Sequence, residues 1–165
     1  MKHFSRGCMV FSLLIGSSAC FAVGPYAGVS LGFMDEDGAD SNPLNGGFTL
    51  GYDFSADAAT FGAEAEFTTS LSDGDVNDND FSIDTQALYL TGKLDFTPQV
   101  YGKARIGLLR VERDRDSHGS ESDNGVSAGV GIGYKVAPQI NLEAEITNVE
   151  EDINFFSVGI RYNFY

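Results

Sequence analysis

The chain has 165 residues, with 24 acidic against 10 basic side chains for a formal charge of -14, 20 glycines and no tryptophan. That excess of negative charge excludes a nucleic-acid binder, which needs cations to displace counterions from phosphates. Apolar residues at 42% and aromatics at 12% exclude a disordered acidic tail and are enough for one folded domain.

Residues 1–22, MKHFSRGCMVFSLLIGSSACFA, read as a secretory signal peptide: Lys2 and Arg6 open it, an apolar run follows, and small residues close it. The run is too short for the roughly 20 apolar residues of a spanning helix. Cleavage is expected after Ala22, leaving residues 23–165 as a single domain without cysteine; SSAC also permits a cut before Cys20 with lipidation, although Ser17 stands where a lipoprotein signal has an aliphatic residue. Loss of Lys2 and Arg6 leaves 24 acids against 8 bases, a charge of -16.

Beyond Ala22 the pattern has period 2. Eight strands are predicted at about 25–34, 47–54, 59–67, 87–96, 99–109, 125–136, 139–147 and 156–164. Short connectors follow the second, fourth and sixth strands. Long ones span 35–46, 68–86, 110–124 and 148–155, so in an antiparallel order all the long loops share one end. One parity of every strand is free of charge, as in Val29, Leu31, Phe33 or Leu88, Leu90, Leu94, although 21% of the chain is charged. Alternation alone fits a soluble sandwich with this face inside or a membrane barrel with it outside. The polar face favours the second: it is rich in glycine (Gly28, Gly32, Gly51, Gly62, Gly107, Gly129, Gly131, Gly133, Gly159), which suits a crowded lumen and weakens an exposed strand. Aromatics gather near the strand ends of the apolar face, as two interfacial girdles would. The expected fold is therefore all-β, an eight-stranded antiparallel up-and-down transmembrane β-barrel.

The last strand, FSVGIRYNFY, alternates Phe156, Val158, Ile160, Tyr162 and Phe164 up to an aromatic terminus. With the preceding pattern, the stretch from about Gly24 to Tyr165 resembles the small eight-stranded outer-membrane barrels of Gram-negative bacteria, the OmpA transmembrane domain and OmpX type. The resemblance implies location in the outer membrane among lipid and lipopolysaccharide. It also implies recognition of the last strand by the barrel assembly machinery. Tyr165 after Phe164 sets the terminal aromatic one residue off the family's usual phase.

The inward parity holds Asp53, Glu64, Glu66, Asp95, Glu143 and Glu145 against Lys93, Lys103, Arg105, Lys135 and Arg161. Near balance at similar depth predicts a belt of interior ion pairs in the half nearest the short turns, acting as structural packing rather than an ion gate, because eight strands enclose little free space.

The long connectors hold the remaining acids. DGDVNDNDFSID carries Asp73, Asp75, Asn77 and Asp84 at calcium-loop spacing, yet Asp78 takes the glycine position and Asp84 stands for the usual glutamate, so an acidic solvated loop is expected and no cofactor. His118 in RDSHGSES is the only histidine after signal removal. Enzymes such as lipid A deacylases exist among small barrels, but a relay of neighbours within one loop lacks the fixed geometry that nucleophilic catalysis needs. The expected function is non-enzymatic, an envelope-structural or surface-interaction role through four acidic extracellular loops, with a protein ligand of unknown identity. A narrow, low-conductance porin-like channel is the alternative, and a lipid A-modifying hydrolase comes third.

Overall fold

The computed structural model describes residues 22–36, 42–56, 59–72, 74–76, 79–115, 119–150 and 153–164. The predicted signal peptide, apart from Ala22, lies outside them. The described residues form nine strands: β1 (Ala22–Glu36), β2 (Leu44–Ala56), β3 (Ala59–Ser72), β4 (Gly74–Val76), β5 (Asn79–Asp95), β6 (Val100–Arg115), β7 (Gly119–Ala137), β8 (Ile140–Glu150) and β9 (Ile153–Asn163). All except β4 form the barrel. Each pairs antiparallel with its chain neighbour, β3 with β5, and β9 returns to β1 from Tyr26 opposite Asn163 to Glu36 opposite Ile153. Closure leaves no edge within the ring. β4 pairs only with Asn79–Phe81 at the start of β5.

The short connectors need little chain because antiparallel neighbours are joined by tight turns. At 96–99 the Thr97 hydroxyl accepts from the N–H groups of Gln99 (3.2 Å) and Val100 (2.9 Å). Gly24, at φ 106°, takes a left-handed conformation where the β1–β2 register shifts.

The uncharged parity faces outward. Val29, Leu31, Phe33, Leu90, Leu108, Val130 and Phe156 are all exposed, Leu90 at 69% of its surface. An apolar belt around the whole ring far exceeds the few hundred Å² that a water-soluble monomer shows. Only lipid satisfies it. The girdle aromatics Phe33, Phe48, Phe67 and Phe156 bound it on the loop side, with Phe54, Phe61, Phe96, Tyr162 and Phe164 on the turn side, all of them exposed.

The strands are longer than predicted. Residues 79–86 belong to β5, 110–115 to β6 and 119–124 to β7, all expected as loop. For β5 and β6 the reason is an inversion of polarity along the pleat, whereas 119–124 carries no apolar residue and is strand by its pairing with β6. Through the belt the outward parity is apolar and the inward parity charged. Above it the inward residues Met34, Ile83, Leu109, Val111, Val149, Ile153 and Phe155 form a buried apolar cluster, while Asp84, Gln86, Arg110 and Glu112 face out. A barrel wall in water buries its apolar side, so these segments alternate in the opposite sense and read as polar loop to a search for one continuous face.

Candidate functional site

The chemistry-bearing side chains lie in the lumen, in layers. Nearest the short turns, Lys135 Nζ reaches both oxygens of Asp95 at 2.8 Å, a half-exposed pair at the mouth. One layer in, Asp53 accepts from Lys93 Nζ (3.0 and 2.9 Å) and from the Arg161 guanidinium. Next, Lys103 Nζ is held by three carboxylates, Glu64 (2.9 Å), Glu143 (3.2 Å) and Glu145 (2.7 Å). Deepest, Arg105 Nη1 donates to Glu64 (2.9 Å) and Glu66 (2.7 Å), its Nη2 to Glu66 (3.1 Å), and its Nε lies 3.3 Å from Glu145. Arg161 Nη1 approaches Glu143 at 3.5 Å and so joins the second layer to the third.

Asp53, Glu64, Glu66, Lys93, Lys103, Arg105, Glu143, Glu145 and Arg161 thus form one connected network, with Asp95 and Lys135 as a separate pair. The arrangement is a stack of layers, not the belt at one depth that the sequence suggested. Most partners stand about 40 positions apart in the chain, as for Lys103 and Glu145, because the bond reaches over an intervening strand; Arg161 departs from this, meeting Asp53 108 positions away and Glu143 on the adjacent β8.

Five participants lie outside the set expected from charge, one of them Asn163, which accepts from Arg161 Nε (2.9 Å). Tyr26 donates its hydroxyl to Glu64 (2.8 Å), and the Arg161 guanidinium stacks 3.5 Å from its ring centroid. Tyr101 donates to Glu143. Thr147 accepts from Arg105 Nε (3.1 Å) and Nη2 (2.6 Å). Tyr89 lies 4.3 Å under Arg105 and shares a hydrogen bond with Ser127 (3.0 Å), forming the floor of the apolar cluster above. A signal for the tyrosines was present: each sits on the inward parity directly opposite a glycine, Tyr26 with Gly51, Tyr89 with Gly107 and Tyr101 with Gly133. Glycine leaves the room into which a neighbouring ring folds.

Little space remains. A vestibule of about 90 Å³ at the turn end ends on Asp53, Lys93, Tyr101 and Arg161. Beyond it a cavity of about 30 Å³ bordered by Ser30, Thr49, Glu66 and Arg161 has room for about one water.

The other candidates lie elsewhere. Phe156, Val158, Ile160, Tyr162 and Phe164 project from β9 into the lipid belt; Tyr165 lies outside the described residues. Of the calcium candidates, Asp73 and Asn77 are outside the described residues, Asp75 is in β4 opposite Asp80, and Asp84 on β5 accepts from the Ser70 N–H (3.1 Å). His118 is also outside them. Among the described residues no group of three or more His, Cys, Asp or Glu is arranged to hold a metal ion.

A closed eight-stranded ring, apolar outside and cross-braced by buried ion pairs within, defines a small transmembrane β-barrel. The sequence matches the outer membrane protein beta-barrel domain over residues 10–164, and the chain belongs to that family. Its location is the outer membrane. Similar solved structures include Ail, the attachment invasion locus protein of Yersinia pestis (17% identity, 84% of this chain and 94% of that one, TM-score 0.56). Neisserial surface protein A is also similar (15%, 87% and 99%, TM-score 0.59), as is the N-terminal β-barrel domain of Pseudomonas aeruginosa OprF (16%, 84% and 97%, TM-score 0.59). At these identities the likeness is one of fold. The curated proteins hold no match to the sequence.

Proposed function

We propose that this barrel is a non-enzymatic outer-membrane protein whose lumen network is structural and whose work is done at its acidic outer rim. The observation that carries the reading is the partition of chemistry: lumen charges are spent on one another through Lys103, Arg105 and Arg161, which leaves the extracellular surface as the region able to meet a partner. On that surface Asp84 and Glu112 stand directly opposite each other on β5 and β6, facing out above the lipid belt. Like charges so placed repel unless a cation intervenes. Arg110 supplies one to Glu112 (3.2 Å), and divalent ions shared with lipopolysaccharide phosphates are proposed to serve Asp84 and the other rim acids, with lipopolysaccharide as the proposed lateral partner. The last strand, Phe156 to Phe164, is the proposed recognition segment for the assembly machinery.

Ail has been solved with a heparin analogue. With 24 acids against 8 bases after signal removal, this chain is proposed to repel polyanions and to favour cationic protein surfaces. Cell-adhesion assays on matrix proteins with and without the gene, and with Asp84→Asn and Glu112→Gln, test the role. Reduced adhesion in all three strains is expected; adhesion unchanged by deletion overturns it.

A further inference from the structure

The vestibule at the short-turn end is a blind pocket. Inward residues from seven of the barrel strands surround it, from Asp53 on β2 round to Arg161 on β9, and its floor is the layer of Asp53, Lys93 and Arg161. Behind the floor stand the Lys103 and Arg105 layers, and then the apolar cluster of Met34, Ile83 and Phe155. The described lumen therefore admits a solute to this space from the turn side.

Donors and acceptors in the wall do not balance. Three cations, Lys93, Lys135 and Arg161, face two carboxylates, Asp53 and Asp95, which leaves one positive charge in excess. Both oxygens of Asp53 accept from Lys93 (3.0 and 2.9 Å), one of them from Arg161 as well, and both oxygens of Asp95 accept from Lys135 (2.8 Å each). Each ammonium has three donors and so keeps one N–H beyond these bonds. Each also lies over a tyrosine ring, Lys93 4.8 Å from the centroid of Tyr26 and Lys135 5.7 Å from that of Tyr101, but a ring face brings no negative charge to cancel theirs.

Arg161 is the least satisfied of the three. Only 4% of it is exposed. Its Nε donates to Asn163 (2.9 Å) and its Nη2 to Asp53, yet Nη1 has no hydrogen-bond partner, with Glu143 3.5 Å away. A buried donor without an acceptor is costly and marks a place for one supplied from outside.

Size and charge then narrow the ligand. A space of about 90 Å³ is several times the roughly 10–15 Å³ that one water needs, and suits a group of a few heavy atoms. One negative charge cancels the surplus of the wall. A dianion would exceed it and would also feel Glu64, Glu66, Glu143 and Glu145 behind the floor.

We infer that the vestibule binds a small monovalent carboxylate of formate or acetate size, whose oxygens accept from Arg161 and from the remaining N–H groups of Lys93 and Lys135. Guanidinium and ammonium donors to a carboxylate make charge-assisted bonds, which compensate the loss of water. The site faces away from the acidic rim, and neither reading depends on the other.

The test titrates sodium acetate into the folded barrel in nanodiscs, with sodium chloride holding the ionic strength constant, and follows the Arg161 side-chain resonances by NMR. Sodium sulfate and methylammonium chloride are the dianion and cation controls. Acetate is expected to give a saturable shift at Arg161 and methylammonium none, with sulfate weaker than acetate. Asp95→Asn adds one positive charge to the surplus and should tighten acetate binding about fivefold, whereas Lys135→Gln removes one and should weaken it about fivefold. Both positions are half-exposed and outside the connected network, and heat-modifiable gel mobility checks that both variants fold. Absence of a saturable acetate shift overturns the inference. So does sulfate or methylammonium binding as tightly as acetate, or a pair of folded variants that fail to move the affinity in opposite directions.

Discussion

The ring of Tyr26 fills the space over Gly51, its directly paired neighbour on β2, so that a methyl group at position 51 would overlap the ring. Tyr101 and Gly133 repeat the arrangement on β6 and β7. Both rings lean across an adjacent strand to reach a carboxylate, Tyr26 to Glu64 and Tyr101 to Glu143, so glycine determines whether the polar network can form.

Gly51→Ala and Gly133→Ala are therefore expected to destabilise the barrel by about 1–3 kcal/mol through overpacking. Gly125→Ala, with nothing within 4 Å of the added methyl, serves as the neutral control. Urea unfolding followed by gel mobility measures the difference. A Tyr26→Ala, Gly51→Ala double variant should lose less than the sum of its parts, because the clash exists only with both groups present.

Arg105→Ala strands Glu66, which has only Arg105 as an ion-pair partner among the described residues, and is expected to cost about 3–5 kcal/mol. Glu143→Ala should also lower the melting temperature, as Lys103 and Arg161 each lose a carboxylate. Lys135→Ala breaks the half-exposed pair with Asp95 and a cation–π contact 5.7 Å from the Tyr101 ring centroid, and should cost about 1 kcal/mol, well below Arg105→Ala. Melting of Arg105→Ala at the wild-type temperature would refute a structural network.

The polarity inversion makes opposite predictions for neighbouring residues. Ile83 is fully buried, and Ile83→Ala is expected to lose about 2–5 kcal/mol. Asp84→Lys, one position on and facing water, should be tolerated. In the belt the outward residue is the sensitive one: Leu90→Lys places a charge in lipid at a cost of about 2–4 kcal/mol. Folding yield into vesicles reports all three.

Lipid A composition tests the absence of catalysis. Mass spectra from cells with the gene, without it, and with His118→Ala should coincide. A change in acylation that depends on His118 would establish an enzyme.

The eight strands and their order were legible in the sequence because lipid forces one parity of every spanning strand to be uncharged, a constraint visible from Val29 and Leu90 without any tertiary information. The inward position of Lys103, Arg105 and Glu64 follows from the same alternation. Their bonding does not: Lys103 meets Glu64 and Glu145 across strands, and only the register fixes which residues lie at one depth. The strand extensions at Asn79–Gln86 and Arg110–Arg115 were hidden by the change of solvent. Ile83 and Val111 alternate as regularly as Leu88 and Leu108, but in the inverse sense.

The central claim is that the lumen is filled by its own side chains, with Lys103 and Arg105 bridging strands above a vestibule that stops at Asp53 and Arg161. Single-channel recording in planar bilayers tests it most directly. The purified, folded barrel is expected to give no conductance steps, whereas Arg105→Ala with Lys103→Ala, if folded, opens the narrowest layers and should conduct. Reproducible unitary steps from the wild-type barrel would contradict the account.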